Sequence, residues 1–270
     1  MDSPIAFIGG GNMAGAILRG LLRGGRAVES LLVVEPSAEQ CERLRNEQGL
    51  QALSAADPAL AQAQLVVWAV KPQLFAQAAA PCAPFVSHAL QLSVMAGLRC
   101  EAIARASGSP RVVRAMPNTP ALIGAGVAGL FAAPGVTPAE RELVEQLLAP
   151  TGELLWVERE ADLDTVTALS GSGPAYFFYI VEAMMAAGVE LGLSPAQARK
   201  LAFMTCSGAA AQGLSGDEPP SLLRERVTSK GGTTHAAITS LDQDGVAAAM
   251  RRAVIAAHRR AQELGDEFSS

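Results

Sequence analysis

The sequence predicts an α/β protein in which an N-terminal, doubly wound domain with a mainly parallel sheet is followed by an all-α C-terminal domain. Up to residue 157, short β-branched runs alternate with helical patterns, which is how a βαβ series reads. From Asp162 onward those runs stop and apolar residues recur at helical spacing, so residues 1–161 and 162–270 are expected to form separate domains. Half of the 270 residues are hydrophobic but only 4% are aromatic. An interior of Ala, Leu, Val and Gly suits close helix packing, and a chain of this length buries a core without help from a metal or a disulfide.

The first strand is expected at residues 5–8 and the second at 31–34, with others at 65–70, 90–94, 111–115, 127–132 and 154–157. Runs apolar on both faces, such as Leu65-Val66-Val67-Trp68-Ala69-Val70, suit strands covered by helices on each side. Ala/Leu-rich helical stretches lie between several of them, including 138–148. In the second half, Gly171-Ser172-Gly173-Pro174, Ser194-Pro195 and Gly231-Gly232 break the pattern, and the longest helices are expected at 176–191 and 195–213. Ser194 marks a helix start, because a serine cap accepts orphan amide hydrogens and proline suits the first helical position. Both long helices carry small and apolar residues around much of their circumference, among them Ala183, Met184, Gly188, Ala202, Gly208 and Ala211. That is more than a small helical domain needs for its own core. A homodimer built on this half, or an oligomer of such dimers, is the expected outlet; a tightly packed monomeric bundle is the alternative.

The net charge of -5 is spread without a long basic block, which argues against nucleic acid as a partner and leaves a small-molecule or protein partner expected. The four cysteines, Cys41, Cys82, Cys100 and Cys206, lie far apart without a C-x-x-C pair, so neither a metal site nor a disulfide framework is expected and a cytoplasmic setting is. The N-terminus shows no basic segment before a long hydrophobic stretch, and no apolar run approaches the ~18 residues that span a bilayer, so no membrane partner is expected.

Directly after the first strand stands Gly9-Gly10-Gly11-Asn12-Met13-Ala14, a G-x-G-x-x-A run leading into a helix with apolar Ile17, Leu18, Leu21 and Leu22. This is the setting of a Rossmann-like dinucleotide site. Gly9 permits the tight turn, Gly11 lets the backbone approach a pyrophosphate, Ala14 allows close helix packing, and the helix N-terminus supplies amide hydrogens and positive potential. Glu35, past the second strand, stands where a carboxylate accepts hydrogen bonds from an adenosine ribose diol and repels a 2′-phosphate, which leans the cofactor from NADPH toward NADH. Arg43 and Arg45 are near in sequence, and an exposed loop glutamate is the plain alternative. Ala69-Val70-Lys71-Pro72 ends another strand at the carboxyl edge of the sheet, where Lys71 is either a cofactor neighbour or a solvated loop charge.

Three later segments add to this: Met116-Pro117-Asn118-Thr119-Pro120, Ser170-Gly171-Ser172-Gly173-Pro174-Ala175-Tyr176 and Val227-Thr228-Ser229-Lys230-Gly231-Gly232-Thr233-Thr234. Together with the glycine run and Ala69 to Pro72, and in the same order along the whole chain, they resemble the pattern of pyrroline-5-carboxylate reductases. The usual family form has proline where this chain has Lys230, which leaves Ser229, Gly231, Gly232 and Thr234 in place. The resemblance implies NAD(P)H-dependent reduction of a cyclic imino acid to proline, without a metal. It implies that Ser229 and the Gly232, Thr233 and Thr234 amides hold the substrate carboxylate, that the Thr234 hydroxyl bonds the ring nitrogen, and that this loop lies on the partner subunit's side of the site. It also implies that Asn118 lies near nicotinamide and substrate, that Glu160 lies close to the ring nitrogen, and that Met95-Ala96-Gly97 lines the cofactor site.

The residues alone are less specific. Two glycines and two threonines opening a helix gather amides and hydroxyls where the dipole favours an anion, but an ordinary threonine-capped start reads the same. Asn118 is otherwise a turn residue between prolines, and Glu160 one solvated charge of Glu158-Arg159-Glu160. His88, His235 and His258 are widely spaced, and His235 alone adjoins the loop as a candidate proton relay. A β-hydroxyacid dehydrogenase would need a placed lysine in the helical half, where only Lys200 and Lys230 occur. A non-catalytic NAD(P)-binding sensor would not need the threonine loop.

Overall fold

The computed structural model describes residues 3–268. Seven strands, β1 (Ile5–Ile8), β2 (Leu31–Val34), β3 (Leu65–Trp68), β4 (Leu90–Ser93), β5 (Val112–Met116), β6 (Gly126–Ala132) and β7 (Gly152–Trp156), form one sheet in the order β2-β1-β3-β4-β5-β6-β7. Neighbours are parallel except β5 and β6. The helices α1 (Asn12–Arg23), α2 (Ala38–Gln48), α3 (Phe75–Val86), α4 (Cys100–Ser107) and α5 (Pro138–Leu148) alternate with them.

Alternation along the strands builds two cores. On β1 and β3, Ile5, Phe7, Leu65 and Val67 join Ile17 and Leu18 of α1 on one face, while Ala6, Ile8, Val66 and Trp68 join Phe75 and Cys82 of α3 on the other. Each fully buried aliphatic or aromatic side chain adds about 1.5–3 kcal/mol, so the sheet is held from both sides as the apolar runs predict. The third strand is shorter than expected: Ala69 and Val70 leave the ladder half-buried and line a cavity instead. The helices begin where their caps dictate. Thr137 and Glu140 form a capping box ahead of α5, and Ser37 caps α2.

The chain divides into two compact units, one running to Ser172 and taking in the stretch from Ala257, the other Gly173–Ala256. The break therefore falls later than 161. The reason is that α6 (Asp162–Val166) and the π-turn Thr167–Gly171 belong to the sheet's packing: a Cβ on Gly129 of β6 would lie 2.7 Å from Val166 Cγ2.

The second unit comprises α7 (Gly173–Glu190), α8 (Pro195–Leu214), α9 (Pro220–Arg226), α10 (Thr233–Gln243) and the first part of α11 (Val246–Glu267), whose end returns to the first unit. Ser194 and Gln197 form the capping box of α8. In α7 only Gly173 and Val181 are buried, whereas Phe177 is 63%, Phe178 58% and Tyr179 75% exposed. Leu191, Leu201, Met204 and Leu214 are also exposed. Among the described residues no helix is long and apolar enough to cross a membrane.

Candidate active site

The carboxyl edge of the sheet carries a cavity of about 730 Å³, lined by Ile8, Gly9, Gly11, Glu35, Ala69, Val70 and Lys71, with Ser54 to Ala56 and the α3 residues Gln77, Ala78, Pro81 and Cys82 completing its wall. The glycines differ in their reasons for being glycine. Gly9 turns at φ +99°, and a Cβ there would meet the Ala69 carbonyl oxygen at 2.7 Å. Gly10 lies under Leu44, whose Cδ1 would be 2.7 Å from its Cβ. Gly11 caps α1, lines the cavity and has nothing within 4 Å of a would-be Cβ, so its backbone is open to whatever fills that space. Ala14 is fully buried under the helix. Asn12 is exposed at the first position of α1 and its Oδ1 accepts from Arg43 Nη1 at 3.2 Å, while Met13 packs partly buried on the core. This cradle, open amides at a helix N-terminus beside an apolar wall, fits a dinucleotide.

Glu35 is not an exposed loop charge. It is 8% exposed, with Oε2 accepting from the Gly10 amide at 2.8 Å and Oε1 from the Ser37 amide at 2.8 Å. It ties the glycine turn to the end of β2 while one side faces the cavity. Lys71 is exposed at the cavity mouth, and Pro72 opens a short 3₁₀ turn, Pro72–Leu74.

Past β4 and β5 lies a cluster of charges. Arg114, in the middle of β5, is 4% exposed and donates through Nη1 to Glu160 Oε1 at 2.8 Å. The same oxygen accepts from the Cys100 amide at the head of α4 at 2.6 Å. Glu160 is thus bound, not solvated, and serves as counter-ion and helix cap together. Beside it Arg99 pairs bidentately with buried Asp164, through Nη1 at 3.2 Å and Nη2 at 2.8 Å. Burial works against the Arg99 charge, but Asp164 and then Glu160 outweigh it and hold its pKa above the ordinary guanidinium range. Burial, reinforced by the neighbouring Glu160 carboxylate, pushes the Cys100 thiol up to about 12, so it stays protonated. Met95 is buried in the core, Ala96 is half-buried and Gly97 turns at φ +79°. Asn118 Oδ1 accepts from the Val127 amide at 3.0 Å, fixing the start of β6.

The remaining candidates lie together in the second unit. Gly231 turns at φ +75°, and the Gly232 amide donates to the Ser229 carbonyl at 3.0 Å. That amide is therefore committed to the turn. Thr233 and Thr234 are the first two residues of α10, whose amides have no intrahelical acceptor. A Cβ on Gly232 would lie 2.6 Å from Ser229 Oγ, so this hydroxyl lies close beside the residue that caps α10. Thr234 is half-buried, while Ser229, Lys230 and His235 are exposed.

Sequence reasoning missed Arg114, Arg99 and Asp164. A signal existed for the first: one arginine inside the apolar strand Val112–Met116 has to be paired if that strand is central. The α3 wall of the cavity gave none, since Gln77, Ala78 and Pro81 read as ordinary helix residues. Among the described residues no group of three or more metal-ligating side chains comes together.

Residues 160–264 match the family described as pyrroline-5-carboxylate reductase dimerisation, and residues 4–97 match that described as NADP oxidoreductase, coenzyme F420-dependent. The chain is 42% identical over 271 residues to the pyrroline-5-carboxylate reductase of Pseudomonas aeruginosa, covering 99% of each chain. Its structure is similar to that of a pyrroline-5-carboxylate reductase from Coxiella burnetii, with a TM-score of 0.89, 36% identity, and 97% of this chain and 98% of that one covered. A Plasmodium falciparum pyrroline carboxylate reductase solved with NADP bound superposes with a TM-score of 0.87 at 27% identity, covering 98% of each chain. With the dinucleotide cradle in its sheet unit and a dimerisation module over its helices, matched from end to end, the chain belongs to the pyrroline-5-carboxylate reductase family.

Proposed function

We propose that this protein reduces 1-pyrroline-5-carboxylate to L-proline with NADH or NADPH, the last step of proline biosynthesis, as a cytoplasmic homodimer. The observation that carries the reading is one chain holding both a cradle whose Gly11 backbone opens onto the cavity and a serine-threonine turn at the head of α10. Identity over the full length of reductases of this name supports it.

When bound, a nicotinamide dinucleotide would supply the hydride that the imine carbon accepts. The chain's own groups do the rest. The open amides from Gly11 to Ala14 hold the diphosphate, and Glu35 keeps their turn in place while facing the adenosine side. Ala69, Val70, Lys71, Pro72, Met95 and Ala96 border the dinucleotide along the sheet edge. Ser229 Oγ and the Thr233 and Thr234 amides hold the substrate carboxylate against the α10 dipole, with Gly232 supplying room in place of an amide. As the family resemblance implies, the Thr234 hydroxyl bonds the ring nitrogen from the partner subunit's side, while Asn118 and the second oxygen of Glu160 serve the substrate from the sheet unit. An iminium is already electrophilic, so orientation carries much of the rate. The sheet unit, with the end of α11, serves the cofactor, and the unit Gly173–Ala256 serves dimerisation and substrate.

The test is steady-state oxidation of NADH and NADPH with pyrroline-5-carboxylate, with its six-membered piperideine analogue, and, in reverse, with a 3-hydroxyacid. The five-membered substrate is expected to give the highest kcat/KM. Turnover of the hydroxyacid alone would reverse the assignment.

A further inference from the structure

The segment after β4, residues 95–99, is backed by the far end of the last helix. A Cβ on Gly97 would lie 3.0 Å from the Phe268 ring and 3.4 Å from Leu264 Cβ, so the positive φ favours glycine and the space beside the helix end is tight. Phe268 is half-buried and packs on the core cluster that contains Met95 and Leu98. Arg99 then crosses the same helix end. A Cβ on Gly265 would lie 2.8 Å from Arg99 Cζ and 2.9 Å from its Nε, and the guanidinium goes on to its bidentate pair with Asp164. The segment is thus pinned at two points by one helix end: by ring contact at Gly97 and by a glycine that lets Arg99 lie flat on the helix. Within the segment the Met95 amide donates to Ser93 Oγ at 3.2 Å, and Met95 and Leu98 are buried in the core.

We infer that the end of α11, through Phe268 and Gly265, is a positioning element for the 95–97 segment and sets the affinity for nicotinamide dinucleotide without touching it. This rests on the reading in which Met95 and Ala96 border the cofactor. A loop that loses its brace spends part of its time in other conformations, and the apparent Kd rises by the reciprocal of the competent fraction. Bound dinucleotide selects the competent form again, so kcat at saturation is retained while cofactor KM rises.

The experiment is a fluorescence titration of NADH into wild-type protein and the Phe268→Ala, Phe268→Leu, Gly265→Ala and Ala96→Phe variants, with steady-state kinetics alongside. Expected are a Kd raised about 5-fold or more in Phe268→Ala and in Gly265→Ala at near wild-type kcat, with recovery in Phe268→Leu, which restores apolar bulk. Weakening by Ala96→Phe but an unchanged Kd in both helix variants overturns the brace and leaves the cofactor reading standing. An unchanged Kd in Ala96→Phe removes the segment from the site and overturns both. Lost kcat at unchanged Kd, or failure of both helix variants to fold, also overturns the inference, because the helix end then serves chemistry or the fold rather than cofactor affinity.

Discussion

Glu35 gives each of its carboxylate oxygens to a backbone amide, Gly10 on one side and Ser37 on the other, and this changes what its removal should do. A carboxylate beside a 2′-phosphate is a like-charge contact that costs several kcal/mol when poorly solvated and less when water reaches it. Glu35→Ser removes that repulsion and also unties the glycine turn. The NADH/NADPH ratio of kcat/KM is therefore expected to shift toward NADPH by about 10-fold, which corresponds to ~1.4 kcal/mol, while absolute affinity for both cofactors falls. Measuring both constants in both proteins at one ionic strength checks this, and an unchanged ratio would assign the choice to Arg43, Arg45 or backbone groups. Thr234 is the second residue of α10 and is half-buried. Thr234→Ala is expected to lower turnover about 10-fold or more, since a positioned hydrogen bond in a dry site is worth on the order of 1–3 kcal/mol. Wild-type kinetics in that variant would take Thr234 out of the site. Residue identity was legible here wherever a motif fixed it. The partners were not: nothing in the sequence joins Glu35 to Gly10, or Glu160 to Arg114 and Cys100, because these contacts arise only when strands far apart in sequence lie side by side.

At the scale of elements, caps and alternation made much of the fold readable. Ser194 starts α8 with the capping box its sequence promises, and β1 and β3 split their side chains between two cores. Strand ends were less legible, as at Ala69 and Val70, because an apolar residue that lines a cavity looks like one that extends a ladder. The α5 cap gives a pH test. Burial alone would raise the Glu140 pKa, but the Thr137 amide and hydroxyl and then Arg111 outweigh it, leaving the carboxyl below its ordinary 4.5. A depressed folded-state pKa means stability that is present above the unfolded value and lost as pH falls through the folded one. The Glu140→Gln protein should therefore be less stable than wild type at neutral pH, by about 1 kcal/mol as cap losses run, and the gap should close below pH 4.5. Urea midpoints across that range measure it, and a gap independent of pH would refute the charged cap.

For the whole molecule, the informative feature is a helical unit that covers little of its own apolar surface. Helices α7 and α8 each bury only two residues, while Phe177, Phe178, Tyr179 and Leu191 stand exposed. Surface of that kind is what a dimer covers. Light scattering is expected to give at least twice the 27.9 kDa chain mass, and Phe178→Asp to lower it; a monomeric mass for the wild-type protein would contradict the dimer. The sequence disclosed this surplus through helices apolar around their circumference, but not where the compact units divide, since α6 looks like its helical neighbours and its ties to the sheet unit, Val166 against Gly129 and Asp164 to Arg99, arise only in the fold. In the proposed reaction one hydride passes from the dinucleotide to the imine carbon of a five-membered imino acid. Turnover of pyrroline-5-carboxylate with nicotinamide cofactor deuterated on the transferred face of C4, followed by NMR of the product, tests it most directly. L-proline carrying a single deuterium on C5, the ring carbon that was doubly bonded to nitrogen, is expected; proline without deuterium, or cofactor oxidation with no proline formed, would overturn the assignment.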